Sequence, residues 1–111
     1  MPSRRQEQVN SLIQKELGAI LLSELELPLG SLLTISRVEV SSSLEHADIF
    51  VTVLPDGQTE RVLALVQKNV YHLQKLLDKK LVLKFVPKIR FQLDEGLQAA
   101  NEVNEILNKL N

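Results

Sequence analysis

The sequence predicts an α+β domain: a three-stranded sheet with helices packed on one face, in the order α-β-β-α-β-α. Two patterns carry this reading. Apolar residues alternate along residues 46–54 and 81–91, as in strands with one buried face. Elsewhere they recur at helical spacing in three segments, each bounded by Pro, Gly or a polar cap. A chain of 111 residues has room for one core.

Residues 3–26 read as the first helix. Ser3 is the N-cap, and Val9, Leu12, Ile13, Leu17, Ile20 and Leu21 form the buried stripe. Gly18 lies inside it and is read as a point of close packing, since glycine is costly in a helix interior. Pro28 and Gly30 end the element. Residues 32–41 read as a strand whose apolar phase switches between Leu33/Ile35 and Val38/Val40, which requires a bulge near Ser36-Arg37. After the turn 41–45, residues 46–54 place Ala47, Ile49, Val51 and Val53 on one face, and the short link predicts an antiparallel hairpin. Phe50 falls out of that phase and is expected to be covered by a helix.

Pro55-Asp56-Gly57 breaks the chain. A long helix over residues 58–79 follows, with Val62, Val66, Val70, Leu73 and Leu77 on its buried side. Residues 81–91 read as the third strand, burying Leu81, Leu83, Phe85, Ile89 and Phe91. Pro87 makes it an edge strand or a bulged one. Asp94 caps a last helix whose stripe is Ala99, Ala100, Val103, Ile106, Leu107 and Leu110. These divisions give a domain over residues 1–92 and a helical extension over 93–111.

The net charge of −1 conceals an asymmetry. Residues 61–90 hold eight of the 13 basic residues and one of the 14 acids, Asp78. On a straight helix Arg61, Lys68, His72, Lys75 and Lys79 fall within roughly a 60° arc. Lys80, Lys84, Lys88 and Arg90 extend the charge toward the third strand. A single lysine is usually just solvated, but this segregation fits a phosphate backbone. His72 stands in the row either as an RNA contact or as one more polar surface residue. His46 reads as a turn or packing residue.

Other chemistry finds little support. With no cysteine, thiolate metal sites and disulfides are excluded, and the histidines have no metal spacing. Carboxylates at Glu24/Glu26, Asp94/Glu95 and Glu102/Glu105 suit capping and solvation, and Ser41, Ser42 and Ser43 have no neighbouring base. No catalytic residue, metal, cofactor or small-molecule substrate is expected. No signal-like or membrane-spanning stretch is seen, so a soluble, cytoplasmic protein, monomeric when free, is expected.

Three blocks resemble the ribosome-binding factor A family. The pattern V-x-V-S-x-D-L-x-x-A is carried by Val38, Val40, Ser41, Leu44 and Ala47, with Ser43 where Asp is usual. The pattern L-R-L-R-x-x-P-x-L-x-F-x-x-D is matched by Leu81, Leu83, Pro87, Phe91 and Asp94, with Val82 and Lys84 at its R positions and Ile89 at its last L position. Arg4-Arg5-x-x-Gln8-Val9 and Ile13-Gln14-Lys15-Glu16-Leu17 match its first helix. The resemblance implies a type-II KH-like fold. It also implies a non-enzymatic factor that binds the small ribosomal subunit and assists late maturation of 16S ribosomal RNA, including its 5′ end. The family's Ala-x-Gly motif aligns with Lys68-Asn69-Val70, and Asn69 tolerates the irregular backbone of a kink. The expected RNA contacts are Arg61, Lys68, Asn69, His72, Lys75, Lys79, Lys80, Lys84, Lys88 and Arg90, assisted by Arg4 and Arg5. The competing reading is a KH-like protein–protein module without RNA contact.

Overall fold

The computed structural model describes residues 2–110, and side chains as far as Asn108. Helix α1 (Arg4–Glu24) starts with a capping box. The Ser3 hydroxyl accepts from the Gln6 N–H, and the Gln6 side chain accepts from the Ser3 N–H. Val9, Ile13, Leu17, Ile20 and Leu21 are buried as expected, whereas Leu12 is exposed. Gly18 marks no close approach, because a Cβ there would meet nothing within 4 Å.

Strands β1 (Leu32–Val40) and β2 (His46–Leu54) pair antiparallel, and Ser36 is the extra residue of a bulge between Ile35 and Arg37. The turn between them puts Leu44 at φ 62, in the left-handed region. Serine hydroxyls brace it: Ser41 Oγ accepts from the N–H groups of Glu45 and His46, both at 3.2 Å. Ser41 and Ser43 therefore act as turn residues.

A 3₁₀ turn (Asp56–Gln58) leads into α2 (Thr59–Lys68) and α3 (Val70–Lys80). The long helix is thus two helices, with the break at Asn69, φ −100 and ψ 6. The Asn69 side chain donates to the Leu65 carbonyl at 2.8 Å and closes the end of α2. Val62, Val66, Leu73 and Leu77 stay buried through the break; Val70, next to it, is half-buried.

Strand β3 (Lys88–Leu93) lies parallel to β2 and completes a mixed sheet of order β1-β2-β3. It is an edge strand, but shorter than the alternation predicts. Its first register partner is His46, where β2 itself begins, so residues 81–87 have no strand to pair with. Leu81 is still buried and Leu83 half-buried, but Phe85 leaves the core at 79% exposure. Helices α1, α2 and α3 contact β1, β2 and β3 respectively, and Val38, Val40, Ala47, Ile49, Val51, Ile89 and Phe91 form the floor of the core beneath them.

Side-chain amides seal the sheet edges. On the β1 side, Asn10 Oδ1 accepts from the Val40 N–H at 2.8 Å, and Gln6 and Gln14 donate to the Val40 and Ile35 carbonyls. On the β3 side, Gln74 Oε1 accepts from the Ile89 N–H at 2.8 Å, and Gln67 donates to the Phe91 carbonyl at 2.9 Å.

Helix α4 (Glu95–Leu110) departs from expectation. It docks by its polar side. Gln98, 5% exposed, accepts from the Val53 N–H and donates to the Val53 carbonyl, both at 2.8 Å. Glu105 accepts from the Asp56 N–H. Ala99, Ala100, Val103, Ile106 and Leu107, the expected buried stripe, face outward, and the Leu110 side chain lies outside the described residues. Beyond Leu93 the third strand has ended, which leaves the Val53 backbone groups on that side to Gln98. Satisfying these two buried polar groups decides the orientation of α4.

Candidate nucleic-acid interface

The expected cations are not gathered on one surface. In β3, Ile89 and Phe91 point into the core, so Lys88 and Arg90 point to the opposite, open face of the sheet. In α3, Leu73 and Leu77 face the sheet, so Lys75 and Lys79 face away from it on the helical side. The straight wheel also fails at Asn69. Arg61 and Lys68 on α2 line a cleft with Glu26, Leu27 and Pro28, while His72 on α3 sits 3.2 Å from the Glu24 carboxylate at the end of α1.

On the open sheet face the cations are largely matched. The Arg90 Nε lies 3.1 Å from Oδ1 of Asp48, its register partner on β2, and Gln92 donates to the same oxygen at 2.7 Å. Arg37 lies 3.6 Å from Glu39 and 3.9 Å from Asp94, with its guanidinium 4.0 Å from the centre of the Phe50 ring. Phe50 is thus covered by a cross-strand arginine and not by a helix. Asp94 is the N-cap of α4. The bulge aims Ser36 at it, Oγ to Oδ2 2.7 Å, and the Leu97 N–H donates to its other oxygen. These hydrogen bonds, the Ser36 one first, and then the Arg37 charge hold the Asp94 carboxyl below the usual carboxylate range, against an opposing effect of burial.

The remaining described cations are exposed. Among the described residues, Arg4, Arg5, Arg61, Lys68, Lys75, Lys79, Lys80, Lys84 and Lys88 make no ion pair. Lys75, Lys79, Lys80, Lys84 and Lys88 follow the chain from α3 through the connector to β3, passing from the helical side around the end of the sheet. Lys79 and Lys80 also sit in the last turn of α3, where positive charge offsets the helix dipole. Asn69 is committed to α2 through its amide N–H, and its side-chain oxygen is left for other partners.

Sequence periodicity missed one feature. A cavity of about 720 Å³ opens where the start of α1, the β1–β2 turn and the connector 83–88 meet. Phe85 lines it, together with Arg5, Lys84 and Lys88. The signal that Phe85 leaves the core was Pro87, read as an interruption within a strand when it stands just before the first paired residue. Among the described residues no cluster of three or more His, Asp or Glu could hold a metal. No described helix is long and apolar enough to cross a membrane.

The sequence comparisons agree with the resemblance. The family model described as ribosome-binding factor A matches residues 5–107. Ribosome-binding factor A of Vibrio vulnificus strain YJ016 is 37% identical over 111 residues, covering 95% of this chain and 85% of that protein. The Halothermothrix orenii protein of the same name is 29% identical, covering 99% and 91%. The crystal structure of ribosome-binding factor A from Thermus thermophilus superimposes with a TM-score of 0.70 at 16% identity, over 79% of this chain and 93% of that one. A solution structure of a Thermotoga maritima protein gives 0.65 at 31% identity, over 83% and 89%. Element order, mixed sheet and sequence agree on the type-II KH-like domain, and the chain belongs to the ribosome-binding factor A family.

Proposed function

We propose that this protein is a cytoplasmic ribosome assembly factor that binds the immature small ribosomal subunit and assists late maturation of 16S ribosomal RNA, including 5′-end processing. It acts by docking and not by catalysis, and it is a monomer when free. The observation that carries the reading is the strip of exposed cations from Lys75 to Lys88, none with a carboxylate partner among the described residues. Such a strip releases counterions on meeting phosphates, and the gain falls steeply with salt. Arg61 and Lys68 on α2 add to the footprint, as do Arg4 and Arg5 at the start of α1, where Arg5 shares a cavity with Lys84 and Lys88. His72 and Arg90 are secondary, because each already faces a carboxylate. The RNA would be held by charge and shape in an immature conformation and released once that conformation is lost.

The test is co-sedimentation with small-subunit precursors at about 50 and about 200 mM salt. Binding should weaken strongly across that range, and Lys75→Glu with Lys79→Glu should weaken it at both salts. Unchanged binding by the double variant refutes the assignment of the strip. A protein–protein role has its own support in the outward apolar face of α4, with Val103, Ile106 and Leu107 each more than half exposed. Co-sedimentation that survives nuclease digestion and charge reversal favours that reading.

A further inference from the structure

The cavity beside Phe85 lies at the opposite end of β3 from the α2–α3 break. Gln67, next to the break, bonds Phe91, whereas the cavity abuts Lys88 at the strand's start. Val9, Leu44, Leu83, Val86 and Pro87 give it an apolar lining. The Phe85 ring stands open to solvent at 79% exposure, with the Lys84 ammonium 5.7 Å from its centre. Arg5, Lys84 and Lys88 line the same cavity and are all exposed, and Glu45 is the one acid among its lining residues. The wall formed by the β1–β2 turn is fixed in place: the Glu45 carbonyl accepts from the Lys88 N–H at 2.9 Å, and Leu44 is held in the left-handed region.

We propose that this groove seats an unpaired nucleobase of a single-stranded RNA segment, stacked on Phe85, with the adjoining phosphates on Arg5, Lys84 and Lys88. The proposal rests on the RNA-binding reading above and specifies the form of RNA taken. A cationic strip alone serves duplex and single strand alike. An open aromatic face does not, because a duplex keeps its base faces stacked inside, whereas a loop or an end can offer one. Three cations against one acid complement a polyanion better than an ordinary apolar peptide.

The chain has no tryptophan, so Phe85→Trp provides a single fluorescent probe at the site. The probe ligand is a ten-nucleotide unstructured RNA, with a duplex of the same length as control. The proposal expects saturable quenching of the introduced tryptophan by the single strand, little by the duplex, and an affinity loss in Phe85→Ala of roughly 5- to 150-fold, the range for one lost base–aromatic stack. Retained affinity of the Phe85→Trp variant separates loss of stacking from misfolding. Equal affinity of Phe85→Ala and the native protein for the oligomer overturns the proposal, as does the absence of quenching. Co-sedimentation with small-subunit precursors is run in parallel. If the native protein sediments with the particles and Phe85→Ala matches it in both assays, the groove proposal fails while the assembly reading stands. If the native protein does not sediment but the oligomer results hold, the assembly reading fails and the groove is supported as an RNA site. If Phe85→Ala loses the particles but keeps the oligomer, the groove takes a protein partner and the RNA proposal is overturned.

Discussion

Replacing Gln98 by Leu should destabilise the domain more than replacing it by Ala, the reverse of what apolar burial alone would give. Gln98 satisfies the N–H and the C=O of Val53, a residue with no exposed surface, at 2.8 Å each, and it also reaches Asp56 Oδ1 at 3.0 Å. Leucine fills a similar volume but bonds neither backbone group and keeps water out. A buried donor or acceptor left unmade costs about 1–3 kcal/mol, so two cost about 2–6 kcal/mol. That is a large share of the roughly 5–15 kcal/mol by which such domains are stable. Alanine leaves a polar hole in which a water can bridge the two groups, so its cost should be smaller. The assays are urea unfolding and hydrogen exchange at the Val53 amide. The midpoint should fall in the order native, Gln98→Ala, Gln98→Leu, and Val53 protection should drop in both variants. If the Gln98→Leu variant is within about 0.5 kcal/mol of the native protein, Val53 does not depend on Gln98 and the account of the α4 orientation is wrong.

Gly18→Ala should stabilise the fold by about 0.5–1 kcal/mol, because the site is helical and open and only backbone entropy is at stake; a raised melting temperature checks it, and a lowered one shows hidden crowding. Asp94→Asn should flatten the acid limb of the stability curve. The carboxyl is depressed in the folded state, so its ionic contribution is complete above the unfolded value of about 3.9 and drains as pH falls through the lower folded value. Asparagine still caps the helix, so the pH dependence should change more than the stability near neutrality. Ser36→Ala removes the largest cause of that depression, and the Asp94 titration followed by NMR should move up toward the ordinary range. In precursor binding, Lys75→Glu and Lys79→Glu should each lower the salt slope by about one for the phosphate they no longer neutralise, measured across a salt series.

Much of this architecture was legible because apolar periodicity reports directly on burial. The Ile35-to-Val38 phase switch located the bulge and Ser3 the first cap, whereas periodicity ran one helix through Asn69, and only the family resemblance pointed to a kink there. What failed did so where burial is decided by backbone hydrogen bonds. The stripe of α4 is as periodic as that of α1, yet it faces outward because Gln98 and Glu105 are claimed by β2 and the turn after it. Residues 81–87 alternate like a strand, yet β2 offers no partner before His46. The candidate site suffered for the same reason. Charge segregation in the chain was real, but strand parity and the helix break distribute Arg61, Lys75, Lys88 and Arg90 over different faces.

The sealed edges also constrain how a partner is met. An exposed strand edge invites an extra strand, with main-chain hydrogen bonds supplying the affinity. Here Val40 on one edge and Ile89 on the other already have their N–H groups bonded by Asn10 and Gln74. At these positions a partner strand would have to displace an amide from a packed helix, so strand addition gains less there. Side chains then offer the more favourable contacts, and the surfaces proposed for recognition are the cationic strip, the groove at Phe85 and the outer face of α4. These three surfaces want different chemistry, and only the first two suit a polyanion. The outer face of α4 has the character of a protein contact, so a particle offering RNA and protein side by side could engage all three at once.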